Sequence, residues 1–218
     1  MSISPLVSCI MPTANRPEFI INSIDLFLAQ DYPHKELIII DDGIESCVKH
    51  IPARENIHYF YYQDRVGTIG TKRNSACEKA HGDYILHWDD DDWYAPDWIT
   101  QQVNLLVNTK ADITGLHTVK FYSPSAKRGL VYENTGPNNF WLCGATLAYK
   151  KSLWEMYHFA DLQIGEDADF LTNSGGKIVS LDYSDGFTAG LHLHNISIKH
   201  LDDYNQLEFT NLNLNKSK

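Results

Sequence analysis

Residues 84–93 read YILHWDDDDW, so an apolar strand runs directly into four consecutive aspartates. Four carboxylates at one strand end repel one another and lose hydration unless a cation neutralises them. Oxygen ligands suit Mg²⁺, Mn²⁺ or Ca²⁺, and a small ion held by one or two carboxylates keeps positions open for phosphate oxygens. The stretch therefore predicts a strand of a ligand-binding sheet and, at its end, a metal that holds a phosphate-bearing ligand.

Two simpler explanations of the acidic run fit the sequence less well. An EF-hand loop that begins at Asp89 requires glycine at its sixth position and glutamate at its twelfth, where the sequence has Tyr94 and Thr100. A merely solvated loop is disfavoured because Trp88 and Trp93 bracket the run, which indicates a partly buried, shaped site. The metal and phosphate interpretation is therefore preferred.

Upstream of the acidic run, apolar segments of strand length alternate with helical patterns, as in the βαβ units of a mostly parallel sheet. Ligands of such sheets bind outside the carboxyl ends of the strands. Polar groups fall at three of these ends, in residues 12–13, 41–42 and 89–92. We therefore expect the three groups to line one crevice. The predicted strands are 6–11, 36–40, 57–62 and 83–88, and the predicted helices are 17–30, 70–81 and 96–107.

The second half of the chain has a different pattern. At the end of the first half, the helix predicted over 70–81 is expected to have Gly82 as its C-cap. Beyond residue 110 short strands prevail, and the first two are expected to pair antiparallel. The polar residues after Asn195 are assigned as helix or irregular tail. The predicted elements here are strands over 113–122, 129–132, 144–149 and 178–182 and a short helix over 165–173.

Composition places further bounds on the protein. At 218 residues, with 43% hydrophobic and 12% aromatic residues, the chain is predicted to form one large domain. The formal net charge of −10 argues against nucleic acid as a partner, because nucleic-acid binding depends on basic surface. Four widely spaced cysteines predict buried free thiols. No apolar stretch approaches the roughly 20 residues that span a bilayer, so a cytoplasmic protein without a transmembrane segment is expected.

Five stretches occur in a characteristic order: VSCIMPT at 7–13, ELIIIDDG at 36–43, RN at 73–74 ahead of GDYI at 82–85, DDDD at 89–92, and GED at 165–167. Together they resemble a family 2 glycosyltransferase of the GT-A fold. The resemblance implies an α/β fold with a Rossmann-like, mostly parallel central sheet flanked by helices and a smaller antiparallel acceptor-side portion. It divides the domain into a nucleotide-sugar-binding half (about 5–110), an acceptor-side half (about 111–195) and a tail (196–218).

The resemblance also implies an activity. Family 2 members transfer a sugar with inversion from a nucleotide diphosphate donor, so we expect a nucleotide-sugar donor (a UDP-sugar), a saccharide or other hydroxyl acceptor, and Mn²⁺ or Mg²⁺ as cofactor. A lipid-linked acceptor would bring peripheral membrane association. Two alternatives stay open. A nucleotidyltransferase would want a glycine-rich basic loop where residues 12–16 read PTANR, and a non-catalytic sugar-nucleotide or metal-binding module would not need the Asp167 carboxylate.

On the donor side, the resemblance places a D-x-D metal motif at Asp89 and Asp91, with Asp90 as the variable residue. An extended backbone would point Asp89 and Asp91 the same way. For Asp41, a purely turn-forming role before glycine stays open. Lys72 stands where the family usually has a small residue, which leaves open which cation acts on the donor. The residues expected at the donor are Pro12, Thr13, Asp41, Arg73, Asp89, Asp90 and Trp93.

On the acceptor side, the resemblance makes Asp167 the catalytic base and Glu166 the residue that orients the acceptor or its loop. The alternative is that both acids only complement a helix dipole. His192 and His194 would share one face of a strand, a spacing that suits two ligands of one metal or phosphate. The resemblance favours His194, then His192, as the residue that completes the metal shell, and two purely structural histidines are the alternative. Of the tryptophans, only Trp93 is expected to stack on a sugar.

Overall fold

A computed structural model of the protein describes residues 4–133, 141–192 and 195, which form two β-sheets and five α-helices. The strands, in chain order, are β1 (Val7–Thr13), β2 (Lys35–Asp41), β3 (Ile57–Tyr61), β4 (Tyr84–His87), β5 (Trp93–Tyr94), β6 (Ile113–Gly115), β7 (Thr118–Ser123), β8 (Arg128–Glu133), β9 (Ala148–Lys150), β10 (Ile178–Ser180) and β11 (Phe187–Gly190). The helices are α1 (Pro17–Leu28), α2 (Ile69–Lys79), α3 (Trp98–Thr109), α4 (Lys151–Met156) and α5 (Glu166–Asn173).

The larger sheet has seven strands in the order β10-β6-β9-β4-β1-β2-β3. Its β1, β2, β3 and β4 are parallel, and β10 is parallel to β6. Only β9 in this sheet runs antiparallel, to both β4 and β6. This arrangement confirms the predicted mostly parallel central sheet.

Helices cover both faces of the larger sheet. The central β2 shows why, because its alternate residues enter different apolar clusters. Leu37 and Ile39 pack into a cluster that includes residues of α1 and α3, whereas Ile38 and Ile40 pack with residues of α2, α4 and α5. A strand that is buried on both faces reads as a continuous apolar run, as this isoleucine-rich segment does.

The strand order brings the predicted polar groups to one edge of the sheet. Thr13 and Asp41 are register partners at the carboxyl ends of β1 and β2, and β4, which leads into the acidic run, pairs with the other side of β1. Thr13 donates a hydrogen bond of 2.6 Å to Asp90. The three strand ends are therefore neighbours beside the acidic run. Residues 41–42, however, do not line the cleft that Pro12 and the acidic run line, so the expectation that all three groups line one crevice is not confirmed.

The smaller sheet has four strands in the order β5-β11-β7-β8. The predicted antiparallel pairing of the first two strands of the second half is found between β7 and β8. The sheet as a whole is mixed, however, because β11 pairs parallel with β7 and antiparallel with β5. Since β5 directly follows the acidic run, this sheet attaches the C-terminal part of the chain to the predicted metal site.

Three predictions of local structure are wrong. Residues 113–122 form two strands in different sheets rather than one, because Thr146 Oγ1 accepts the N–H of Leu116 and ends β6. The segment 144–149 begins as a 3₁₀ turn and becomes a strand only at β9. Gly82 does not cap α2, which ends at Lys79. A Cβ on Gly82 would lie 2.7 Å from the backbone nitrogen of Ser8, so close approach to β1 explains the glycine.

Two predictions from composition concern the cysteines and membrane segments. All four cysteines are buried and free, as predicted. The longest of the described helices, α1 and α3, have 12 residues each. Within the described residues, no helix combines the length and apolar character that a membrane span requires.

Candidate active site

The acidic turn, residues 89–92, follows β4 at the centre of the larger sheet. Its backbone turns at Asp90 and Asp91, so the extended geometry that would point Asp89 and Asp91 the same way is not found. Asp90 is only 2% exposed and accepts hydrogen bonds from Thr13 Oγ1 (2.6 Å) and Arg16 Nη1 (2.9 Å). Burial, reinforced by the charge of Asp91, raises the pKa of Asp90 to about 6. The middle residue of the motif therefore anchors the turn to the end of β1.

Three donors converge on one carboxylate oxygen of Asp91. Arg16 Nη1 lies 3.0 Å from Asp91 Oδ2, His192 Nε2 lies 2.8 Å from it, and Asn195 Nδ2 lies 3.4 Å from it. The ring of His192 also stacks on Phe19, with centroids 4.8 Å apart. His192 thus reaches the acidic turn, although it follows β11 rather than lying in a strand. His194 lies outside the described residues.

The contacts of Asp91 and His192 fit a divalent ion that is held by few protein ligands. No trio of potential ligand atoms within 4.8 Å of one another is formed by Asp89, Asp91 and His192 among the described residues. Asp91 and His192 are nevertheless adjacent and part-buried. Mg²⁺-type ions are commonly held by one or two carboxylates and take their other ligands from water and substrate phosphates. The donor set therefore suits an open site rather than a closed protein cage.

Arg73 forms a buried charge cluster with two acids. Its guanidinium, 4% exposed, pairs with Glu166 and lies 3.7 Å from Asp89 Oδ1. Burial raises the pKa of Asp89 and that of Glu166, although Arg73 opposes both shifts. Arg73 also lines the cleft. Its contact with a donor diphosphate stays a prediction. Glu166 faces Arg73, and this pairing ties the start of α5 to α2.

Asp167 is the second residue of α5 and lines the same cleft as the acidic turn. The helix that carries it, α5, begins after Gly165, which has a positive φ of 90° that glycine adopts without strain. Asp167 Oδ1 accepts the N–H of Ala168 at 2.8 Å. The other carboxylate oxygen lies against Gly144, where an added Cβ would be 2.0 Å away. The absence of a side chain at Gly144 therefore makes room for Asp167.

A cleft of about 340 Å³ joins these groups. Pro12, the acidic turn and Asp167 all line it. Trp93, the tryptophan predicted to stack on a sugar, is half-buried in β5 and does not line the cleft, whereas Trp141 does. The large apolar side chains that line the cleft are Ile69, Phe121, Trp141, Ile164 and Leu191.

The remaining predicted residues have contacts within the protein. Asp41 is fully buried and accepts hydrogen bonds from the backbone of Gly43 and Cys47 and from the hydroxyl of Tyr59. These are the contacts of a turn-forming residue, and its role at the nucleotide stays a prediction. Lys72 pairs with Asp42 and donates to the backbone oxygen at the end of β1.

Four residues of this region were not among those predicted for the site. Arg16 pairs with Asp90 and Asp91 of the acidic turn, whereas Lys72 pairs with Asp42. Asn195 contacts Asp91, Trp141 lines the cleft and Gly144 makes room for Asp167. Of these, Arg16 had a signal in the sequence, because it ends the loop that follows β1 at the predicted crevice.

Comparison with known proteins identifies the family. The family model for glycosyl transferase family 2 matches residues 8–165, well over half of the chain. The chain belongs to glycosyl transferase family 2. In this family 2 protein the matched segment contains the acidic turn and Arg73 and ends directly before Glu166.

Two curated relatives each match just under half of this family 2 protein. The putative teichuronic acid biosynthesis glycosyltransferase TuaG of Bacillus subtilis is 32% identical over 108 residues, which are 47% of this chain and 42% of that protein. The putative colanic acid biosynthesis glycosyl transferase WcaA of Escherichia coli is 35% identical over 100 residues, 44% of this chain and 36% of its own length. The chain spans less than half the length of these relatives.

Solved structures share the fold of the family 2 protein. TarS of S. aureus (residues 1–349), crystallised with UDP-GlcNAc, superposes with a TM-score of 0.69 at 18% identity over 90% of this chain and 62% of that one. The mannosyltransferase PcManGT of Pyrobaculum calidifontis, in complex with GDP-Man and Mn²⁺, superposes with a TM-score of 0.66 at 17% identity over 87% and 57% of the two chains. These similarities confirm the GT-A fold.

Proposed function

We propose that this protein transfers a sugar with inversion from a nucleotide diphosphate sugar, a UDP-sugar, to a hydroxyl of a saccharide or other acceptor. The observation that carries the proposal is the cleft, which is lined both by an acidic turn with its cations and by a separate carboxylate, Asp167. Family membership and the glycosyltransferase names of the relatives support it. The solved neighbours bind UDP-GlcNAc and GDP-Man, respectively.

On the donor side, Asp91 and His192 would hold a divalent ion, with Asp89 beside it and Arg16 as a fixed positive charge. A bound Mn²⁺ or Mg²⁺ supplies charge that neutralises a departing diphosphate, which favours the transition state over the ground state. Arg16 contributes in the same direction, because its guanidinium lies within 3.0 Å of both Asp90 and Asp91 and is therefore positioned before the donor arrives.

On the acceptor side, Asp167 acts as the base. The acceptor hydroxyl transfers its proton to the Asp167 carboxylate while its oxygen forms a bond to the anomeric carbon. The bond from that carbon to the diphosphate breaks on the opposite face, and the electron pair leaves with the nucleotide diphosphate. Because attack and departure occur on opposite faces, the configuration inverts. Glu166 keeps the start of α5 in place through Arg73, and Trp141 provides an aromatic face for a sugar ring.

A donor screen tests the proposal. Purified protein is incubated with UDP-glucose, UDP-galactose, UDP-GlcNAc and GDP-mannose, each with Mn²⁺, and release of nucleoside diphosphate is followed with and without EDTA. We expect one UDP-sugar to be hydrolysed even without an acceptor. This hydrolysis should be slow, because water is a poor nucleophile, and it should stop when EDTA removes the metal. Absence of both binding and turnover with every donor would refute the proposal, and chelator-insensitive turnover would remove the metal from it.

Replacing Gly144 by alanine tests the position of Asp167. The new methyl group would overlap the Asp167 carboxylate, and a displacement of about 1 Å can cost on the order of 100-fold in rate. We expect turnover to fall by about 10- to 100-fold, with nucleotide affinity and the thermal unfolding temperature close to those of the wild type. In a protein that already carries Asp167→Asn the same change should add little. If Gly144→Ala lowers turnover by the same factor in the wild type and in Asp167→Asn, it does not act through the position of Asp167.

A further inference from the structure

A second cluster of ligating side chains lies at the edge of the larger sheet away from the cleft. Glu36 is the second residue of β2, five positions before Asp41 at the cleft end of the same strand. His58 is the second residue of β3, and His81 follows the end of α2. The three residues thus come from three elements that meet only in the folded protein.

The geometry of this cluster is that of a ligand set. Oε2 of Glu36 lies 3.2 Å from His58 Nε2 and 3.0 Å from His81 Nδ1. All three ligand atoms lie within 4.8 Å of one another, and in the described part of the chain this is the sole such trio of His, Cys, Asp and Glu side chains. Ligand atoms on a tetrahedral zinc ion lie on the order of 3.4 Å apart for bonds of about 2.1 Å. Small side-chain adjustments would therefore accommodate an ion.

The carboxylate of Glu36 is oriented by its surroundings. Its other oxygen, Oε1, accepts hydrogen bonds from Ser8 Oγ (2.5 Å) and from the backbone N–H of His81 (2.6 Å). Ser8 Oγ in turn accepts the N–H of Gly82 at 2.8 Å. These bonds leave Oε2 to face the two imidazoles. Burial would raise the pKa of Glu36, but the hydrogen bonds from Ser8 and His81 lower it below its ordinary value.

Access to the cluster is open from one side. The side chain of Glu36 is 6% exposed, whereas that of His58 is 34% exposed and that of His81 is 70% exposed. A buried, pre-oriented carboxylate with two solvent-facing imidazoles allows an ion to enter and leaves a position for water. Fixed second contacts of this kind are typical of metal ligands, whose orientation they set.

We propose that Glu36, His58 and His81 bind Zn²⁺, with water as the fourth ligand. Two imidazoles and one carboxylate suit zinc, whereas Mg²⁺ and Ca²⁺ prefer an all-oxygen shell. The ion would join the starts of β2 and β3 to the segment that follows α2. Because it binds only the folded arrangement, it stabilises the native state. The site is independent of the donor chemistry.

Metal-free protein provides the test, with no donor present. Calorimetry with Zn²⁺, thermal unfolding with and without Zn²⁺, and the visible absorption of added Co²⁺ are measured for the wild type, His58→Gln and His81→Gln. For the wild type we expect one tight site, a raised unfolding temperature and the intense absorption of tetrahedral Co²⁺. Each histidine variant should lose the absorption and the temperature shift. Ser8→Ala should bind Zn²⁺ about 10-fold more weakly.

Two controls separate this site from other sites. His34→Gln removes an exposed histidine outside the cluster, and Asp91→Asn alters the cleft; both should keep the Co²⁺ absorption and the zinc-dependent temperature shift. Zinc binding that persists unchanged in His58→Gln and His81→Gln, or that disappears only in Asp91→Asn, would overturn the proposal. Because no donor or turnover enters these measurements, their failure leaves the proposed transferase function untouched.

Discussion

Replacing Asp91 by asparagine is expected to abolish metal-dependent donor binding. The change removes the charged oxygen on which His192, Arg16 and Asn195 converge, and with it one of the two adjacent ligands proposed for the ion. Loss of a carboxylate ligand from such an open site leaves too few protein contacts to hold the ion. We expect the affinity for UDP in the presence of Mn²⁺ to fall by about 100-fold or more, measured by calorimetry with and without EDTA.

A matched carboxylate change serves as the control for Asp91. Glu155 is exposed on α4 and does not line the cleft, so Glu155→Gln removes the same charge and should leave nucleotide affinity and its chelator sensitivity intact. Circular dichroism establishes that both variants are folded. If Asp91→Asn binds UDP as tightly as the wild type, and EDTA does not change that binding, the metal assignment is wrong.

Replacing Asp167 by asparagine is expected to separate turnover from donor binding. The donor contacts proposed here belong to the acidic turn and its neighbours, while Asp167 lies on a separate element, α5, that lines the same cleft. The amide keeps the shape of the side chain but cannot take a proton from the acceptor. We expect turnover to fall by roughly 100-fold or more, with nucleotide affinity close to the wild type. Rates come from nucleoside diphosphate release, and affinities from calorimetry.

The same helix provides the control for Asp167. Asp169 is half-buried on α5 and accepts hydrogen bonds from Tyr157 and Asn173. Asp169→Asn therefore removes the same charge from the same helix at a residue that does not line the cleft. Its turnover should remain near the wild type. Equal losses of donor affinity and turnover in Asp167→Asn would reassign Asp167 to the donor site, and an unchanged rate would reduce it to a residue that complements the helix dipole.

Much of the N-terminal half of the chain could be predicted because local patterns determine it. The continuous isoleucine run of β2 requires burial on both faces, and the two packing clusters supply it. The strand predicted over 57–62 is found as β3 (Ile57–Tyr61), and the helix predicted over 96–107 is found two residues later as α3. Strand order then places the polar ends of β1, β2 and β4 together, a consequence of parallel topology that needs no detailed geometry.

The parts that could not be predicted depend on contacts between distant residues. Arg16 is 74 and 75 positions from the two aspartates that it contacts, and no local pattern indicates which cation a folded chain brings to a carboxylate. The division of residues 113–122 between two sheets follows from a hydrogen bond to Thr146. The prediction that Asp89 and Asp91 point the same way assumed an extended backbone. The backbone instead turns at Asp90, whose side chain accepts a hydrogen bond from Thr13.

The attachment of the acidic turn to β11 has a consequence for folding. Asp92 accepts the N–H of Gly190 from 98 positions away, and Asp91 meets His192 from 101 positions away. Contacts of such long sequence separation form slowly, because the entropy of closing the intervening loop is lost before they contribute. The acidic turn follows β4, but during synthesis Asp91 and Asp92 lack these two partners until the ribosome has passed residue 192. Formation of these two contacts is therefore a late event, and it depends on residues beyond the segment that the family model matches.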